Sequence, residues 1–326
     1  MFDKIFRKSY LRYALNRWVL QHLRYALNRW VLPRLGNEPL AIKNLSQKAW
    51  PTVAALNSER TYTDQIECIE WEPARTSDGT DLLEDYARTS RPLLLKGYAT
   101  SSIGGSWALE WVKQVAGATM AQIRVGNYAS APGGPEIVLM RLADFVDYLL
   151  GQSAFPHPDR LVDGMGPYLG NMPIPHLDEY LPCPRFLGEA PSTLFWLGNA
   201  GARTPLHCHQ HGDFLIVQLI GHRRFVLIPP HEALLVGYLP VNINISTAAF
   251  DPFRPDRDQF PGMDHIHRLR VDLEPGDALL IPGFWFHAVQ IAEPSMSATR
   301  SRNSMPAAIG GGPLQPWRTR PFSRGW

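Results

Sequence analysis

The spacing of apolar positions changes character along this chain. From residue 192 onward, short apolar runs are cut by glycine and proline, which is the pattern of strands. TLFWLG at 193–198 leads into TPLHCHQH at 204–211. FLIVQLI at 214–220 and RFVLI at 224–228 flank Gly221-His222 and predict a hairpin. PGDALLI at 275–281 predicts a turn and a buried strand, and Pro282-Gly283 breaks it before FWFHAVQ at 284–290. Upstream the period lengthens. Residues 107–115 and RLADFVDYLL at 141–150 carry apolar residues at helical spacing, the second ending at Gly151 as a C-cap. RPLLLKGY at 91–98 and residues 121–125 read as strands. GPYLGN at 166–171, in a stretch rich in proline and glycine, reads as a loop near a cleft or a surface crossing. Residues 239–268, with Pro240, Pro252, Pro255 and Pro261, read as a long insertion of the kind that forms lids or binding surfaces.

The first 36 residues differ from the rest. Lys4, Arg7, Lys8, Arg12, Arg17, Arg24, Arg29 and Arg34 are set among aromatic and aliphatic residues, with Asp3 the one acid. LRYALNRWVL occurs at 11–20 and again, unchanged, at 23–32. The offset of the copies is about a third of a turn out of phase on an α-helix, so they do not present one face. A tandem duplication fits better than a stacking repeat. The segment predicts a basic amphipathic arm, either solvated or lying on an anionic membrane surface. The division expected is an arm at 1–36, a main domain at 37–303 with its strand-rich core at about 192–300, and a tail at 304–326 rich in proline, glycine and arginine.

Composition narrows the class. With 45% hydrophobic and 19% charged residues the chain is globular, and a net charge of +2 gives no global nucleic-acid footprint. Cys68, Cys183 and Cys208 are odd in number and scattered, which suits a reducing cytosol better than a disulfide framework. No apolar run is long enough to span a bilayer. The N-terminus lacks the apolar core and small-residue site of a secretory signal. The location expected is the cytoplasm, with the arm allowing peripheral contact at the inner face of the membrane.

The candidate chemistry is histidine. In an extended chain, side chains at i and i+2 point the same way, so His207 and His209 can chelate one ion while Cys208 points away. Neutral imidazole is the commonest protein metal ligand. His287, beyond the second apolar strand, can supply a third ligand if the strands lie side by side. Asp264-His265-Ile266-His267 holds another HxH among loop residues and reads as solvated.

RPLLLKG, FWLGNAGARTPLHCH, GHRRFVLIPP and LEPGDALLIPGFWFHAVQ, in that order, resemble the cupin-like Jumonji-C family over about 91–299. The resemblance implies a double-stranded β-helix, a jelly-roll barrel with flanking helices. It implies a dioxygenase that uses Fe(II) and 2-oxoglutarate, with two histidines and a carboxylate as ligands. His207 and His287 take the histidine positions. The middle position departs: the family has HxD, and this chain has His209. The stretch from His207 to Gly221 is one residue longer than the family pattern, so a bulge could instead bring Asp213 or His211 to the metal. Arg223 takes the position of the basic residue that pairs with the far carboxylate of 2-oxoglutarate, able to do so through two parallel hydrogen bonds. Thr204 matches a residue that bonds the same carboxylate, and Arg300 is a competing anchor. Trp285 and Phe286 read as core or pocket wall.

The activity implied is hydroxylation of a protein or peptide side chain, or of a small molecule, with 2-oxoglutarate and dioxygen as cosubstrates. A homodimer is compatible with the family, and no nucleic-acid partner is expected. Two other readings stay open. One is a three-histidine cupin dioxygenase that does not use 2-oxoglutarate. The other is a non-catalytic metal-binding cupin acting as a partner or membrane-associated module.

Overall fold

The computed structural model describes residues 65–302 except 73–79, 100–106, 127–135, 163, 182–184, 188–192, 210–211, 234, 238–247 and 261. The basic arm and its duplication, the tail, Cys183 and His211 lie outside the described residues.

Strand β1 (Glu67–Glu70) precedes helix α1 (Thr80–Arg88), and β2 (Leu93–Lys96) returns parallel to β1. Helix α2 (Leu109–Ala116), strands β3 (Met120–Val125) and β4 (Glu136–Arg141) and helix α3 (Leu142–Leu149) follow. Strand β5 (Tyr168–Met172) and the short helix α4 (Pro175–Asp178) come next. Then the chain turns to strands: β6 (Thr193–Gly198), β7 (Arg203–Cys208), β8 (Asp213–Ile220) and β9 (Arg223–Ile228). After an excursion come β10 (Leu269–Leu273), β11 (Ala278–Ile281), β12 (Phe286–Ile291) and β13 (Ser295–Arg302).

The strands form two sheets. One runs β1-β2-β11-β8-β13-β6-β5-β3-β4, the other β10-β9-β12-β7. Their facing sides enclose the interior of a jelly roll. The outer side of the long sheet carries the main core. Ile123, Leu169, Leu197, Val217, Leu280 and Ala298 pack there against Leu83 of α1, Val112 of α2 and Phe145 of α3. Alternation then turns the intervening residues of each strand inward.

Three expectations change in the folded chain. Strands β8 and β9 do not form a hairpin, because each pairs within a different sheet. Gly221-His222 is the point where the chain steps across. Gly221 has φ 62° and a Cβ there would lie 2.3 Å from Pro294 O, so only glycine fits. Residues 166–171 are not a loop but lead into β5. Gly170 sits against the Trp196 ring and Asn171 has φ 61°, at a register shift between Leu169 and Met172. The turn-forming residues serve a bulge inside a sheet. Finally, the insertion is a cover. Phe250, Phe260, Met263 and Ile266 pack on Leu206, Cys208, Val226 and Phe286, the outer side of the short sheet. Each phenylalanine buried this way contributes about 2–3 kcal/mol. His267 of the second HxH donates its backbone N–H to the fully buried Glu232, which ties the end of this cover to the segment after β9. No described helix is long and apolar enough to cross a membrane.

Candidate metal centre

Strand pairing sets the centre. In the ladder between β7 and β12, His207 lies directly opposite His287, and His209 follows one residue past the end of β7. The ring centroids are 4.1 Å apart for His207 and His287, 4.9 Å for His207 and His209, and 5.0 Å for His209 and His287. One nitrogen from each of the three lies within 4.8 Å of the others. Cys208, between the ligand candidates, faces the other side of the sheet and is buried in the insertion's core.

The turn that starts β12 locks this arrangement. Phe284, at φ 70°, donates its N–H to His209 O at 2.9 Å, and Gly283 donates to Asp213 Oδ1 at 2.9 Å. Trp285 donates its indole N–H to Ser90 O at 3.0 Å. The histidine segment and the His287 segment are therefore stitched together next to the rings.

Hydrogen bonding and burial prepare the imidazoles as ligands. Nδ1 of His207 lies 2.9 Å from Pro205 O, and Nδ1 of His287 lies 3.2 Å from Trp285 O. A carbonyl only accepts, so each Nδ1 carries the proton and each Nε2 keeps its lone pair. Burial pushes the His207 pKa below the ordinary value, and the charge of Arg124 acts the same way. Burial drives His287 well below it, with His207 and His209 adding to the effect. Both are neutral at pH 7, the form that binds a metal. A donor set of three imidazoles fits a divalent first-row ion such as Fe(II).

A second group lies on the same interior face. On β9, Arg223 is paired with Ile291, four residues along β12 from His287 and on its side of the sheet. It is 3% exposed. Nε donates to Ser295 Oγ at 2.9 Å, Nη1 to Ser297 Oγ at 2.7 Å, and Nη2 to Trp196 O at 2.7 Å and Ser295 O at 2.9 Å. All four acceptors are neutral, and among the described residues no carboxylate pairs with it. Burial lowers its pKa, and the nearby Tyr168 hydroxyl pulls the other way. Tyr168 Oη is 3.4 Å from Thr204 Oγ1. The indole N–H of Trp196 is buried without a hydrogen-bond partner. A buried cation without a counter-charge, two hydroxyls and an orphaned donor fit an incoming carboxylate. Nε, Nη1 and Nη2 each already donate to an acceptor, which leaves the charge and the neighbouring hydroxyls as the groups open to a carboxylate.

The structure thus brings together His207, His209 and His287, and separately Arg223 and Thr204. Two expected residues stand elsewhere. Arg300 points to the outer side of β13, where Nη2 pairs with Asp178 Oδ1 at 2.6 Å and Nε donates to Thr193 Oγ1 at 2.7 Å. With its charge spent on that outer face, it does not reach the interior. Asp213 is absent from the cluster of candidate ligands, its carboxylate holding Gly283 N–H. Strand β8 carries a bulge where Ile220 and Gln218 pair with the successive residues Met296 and Ser297. That bulge lies at the far end of β8 from Asp213 and does not re-aim it. Sequence reasoning missed Tyr168, Trp196, Ser295 and Ser297. The two serines carry a readable signal, small polar residues alternating with Met296 and Ala298. Tyr168 carries none, because its strand is disguised by glycine and asparagine.

The family model described as a cupin-like domain matches residues 79–301. The chain is 33% identical over 105 residues to HSPB1-associated protein 1 of Rattus norvegicus, covering 32% of this chain and 22% of that protein. It is 26% identical over 219 residues to the bifunctional peptidase and (3S)-lysyl hydroxylase JMJD7 of Homo sapiens, covering 56% of this chain and 68% of that protein. It is 26% identical over 260 residues to lysine-specific demethylase 8 of Xenopus tropicalis, covering 76% of this chain and 54% of that protein. The chain thus spans about a fifth of the first relative's length and about half of the third's.

Proposed function

Because the chain belongs to the cupin-like domain family, of the Jumonji-C type, we propose that it is an Fe(II)- and 2-oxoglutarate-dependent oxygenase that hydroxylates a protein or peptide side chain. At family level the comparisons support a 2-oxoglutarate-dependent oxygenase. The side-chain substrate follows from two relatives whose names specify lysyl hydroxylation and lysine-specific demethylation. The observation that carries the reading is Arg223, a buried guanidinium held by neutral oxygens on the face that also bears His287.

In this reading His207, His209 and His287 hold the metal through Nε2. Iron and 2-oxoglutarate together supply the activation of dioxygen and the oxidising power. The chain supplies position and dryness. Arg223 fixes the far carboxylate of the cosubstrate by charge, and the hydroxyls of Tyr168 and Thr204 orient it. Phe225, Leu227, Val289 and Ile281 line the interior and exclude water. Asp213 acts as a clamp: through Gly283 it keeps the His287 turn against the histidine segment.

A second reading rests on a specific observation, the third imidazole at the position where a carboxylate is usual. One fewer negative charge shifts preference toward borderline metals. The three-histidine dioxygenase that ignores 2-oxoglutarate accounts for His209 but leaves Arg223 without a purpose. Anaerobic titration of the metal-free protein with Fe(II) and then 2-oxoglutarate separates the two. A visible charge-transfer band that saturates with 2-oxoglutarate is expected. Iron uptake without any such band would reject the cosubstrate and leave the second reading standing.

A further inference from the structure

The two sheets are unequal, nine strands facing four, and the excess has a consequence. The short sheet ends at β7, whose Thr204 meets Tyr168 of β5. Strands β3 and β4 lie beyond that edge, so among the described residues no strand opposes their inward side. Burial alternates along both strands, except that Glu136 at the start of β4 is exposed on the helix side. Ala121, Ile123, Val125, Val138 and Met140 are buried on the helix side, while Met120, Gln122, Ile137 and Leu139 are exposed on the other. A solvated sheet face is normally polar. Here Met120 is 55% exposed, Leu139 65% and Ile137 37%. Their cross-strand partners on this face are polar, Arg141 opposite Met120, Gln122 opposite Leu139 and Arg124 opposite Ile137, so apolar and polar, mostly cationic, side chains alternate across it.

The patch is continuous with the interior. Register places Ile137 beside Arg124, Arg124 beside Tyr168, Tyr168 beside Gly198 and Gly198 beside Ser295. One cross-strand row therefore runs from the open hairpin to the serine that holds Arg223. From Ile137 to Tyr168 is two strand spacings, roughly 10 Å, which an extended chain covers in about three residues. Arg124 stands at the threshold. Nη2 donates to Gly170 O at 3.3 Å, and among the described residues no carboxylate pairs with it. The entrance is thus apolar at its outer end and positively charged at its inner end.

We propose that the open inner face of β3 and β4 is the substrate-docking surface. Its occupant is an extended polypeptide with apolar side chains on Met120, Ile137 and Leu139 and an acidic side chain at Arg124. This deepens the oxygenase reading and rests on it for the claim that the docked polypeptide is a substrate. Docking along the row directs the peptide's next residues toward the metal centre.

Selection of random displayed peptides on the full chain, loaded with Fe(II) and 2-oxoglutarate under anaerobic conditions, tests it. Enriched peptides should pair alternating apolar residues with an acidic one. Their affinity should fall at least tenfold on Leu139→Glu, an exposed position where folding is undisturbed. Arg124→Glu should switch the charge preference from acidic to basic. Absence of enrichment, or peptides that bind Leu139→Glu as well as the parent, overturns the proposal. So does a self-associating parent that Leu139→Glu renders monomeric, since the face would then be covered by a second copy. The 2-oxoglutarate band, recorded on the same sample, reports separately on the metal and cosubstrate. A band without docking rejects only this surface, and docking without a band rejects the oxygenase reading alone.

Discussion

Arg223 and Arg300 are buried in strands of the short and the long sheet respectively, at 3% and 7% exposure, yet they stand in opposite situations. Arg300 faces the helical layer and pairs with Asp178 at 2.6 Å, so its charge is answered within the chain. Arg223 faces the barrel interior and meets neutral groups, the serine hydroxyls, backbone carbonyls and the Tyr168 hydroxyl. Burying a charge without a partner costs free energy, and folding alone gives no reason to retain it. The comparison teaches that burial does not by itself assign a role to a cation. What decides is whether the counter-charge belongs to the protein or has to arrive.

The comparison can be broken from the Arg300 side, where the largest effect is expected. Arg300→Met strips Asp178 and Thr193 of their partner and should lower stability by up to about 3 kcal/mol in denaturant unfolding, a ceiling because the Asp178 side chain is 42% exposed and water can take over part of the lost contact. A variant as stable as the parent would show that the pair is not structural. Next comes Arg223→Met. Its stability should change by under about 1 kcal/mol, or rise, because an unpaired buried charge is removed. Its affinity for 2-oxoglutarate, followed by calorimetry, should fall about 100-fold, the usual scale for truncating one partner of a buried charge pair. A stability loss matching that of Arg300→Met would erase the distinction.

Acid sharpens the contrast with a gentler effect. His207 and His287 have folded pKa values lowered from 6.5, chiefly by burial. Below pH 6.5 the unfolded chain takes up protons that the folded rings refuse, so acid favours unfolding. Their contribution is fully present above pH 6.5 and is lost as the pH falls toward the depressed values. The denaturation midpoint of metal-free protein should drop from pH 8 to pH 5, and His287→Phe should flatten the drop. A midpoint that rises on acidification would contradict neutral, buried imidazoles.

Much of this was legible along the chain. Alternation over 204–209 put His207 and His209 on one side, and the apolar run before Pro282-Gly283 announced a buried strand ahead of His287. The same reading failed at 166–171, where Gly170 and Asn171 imitate a loop because the local signal for a bulge and for a turn is identical. It failed again at Gly221, since a two-residue link looks alike whether it closes a hairpin or carries the chain to a second sheet.

The sequence by itself determined the strands that carry the histidines and Arg223, and the residue types that can bind a metal, because those follow from period and side-chain chemistry. Only the tertiary structure decided which arginine lacks a counter-charge, which carboxylate is spent on a backbone N–H, and which strands outrun the opposing sheet. Those are relations between segments far apart in the chain, and the pairing of strands, not their local pattern, creates them.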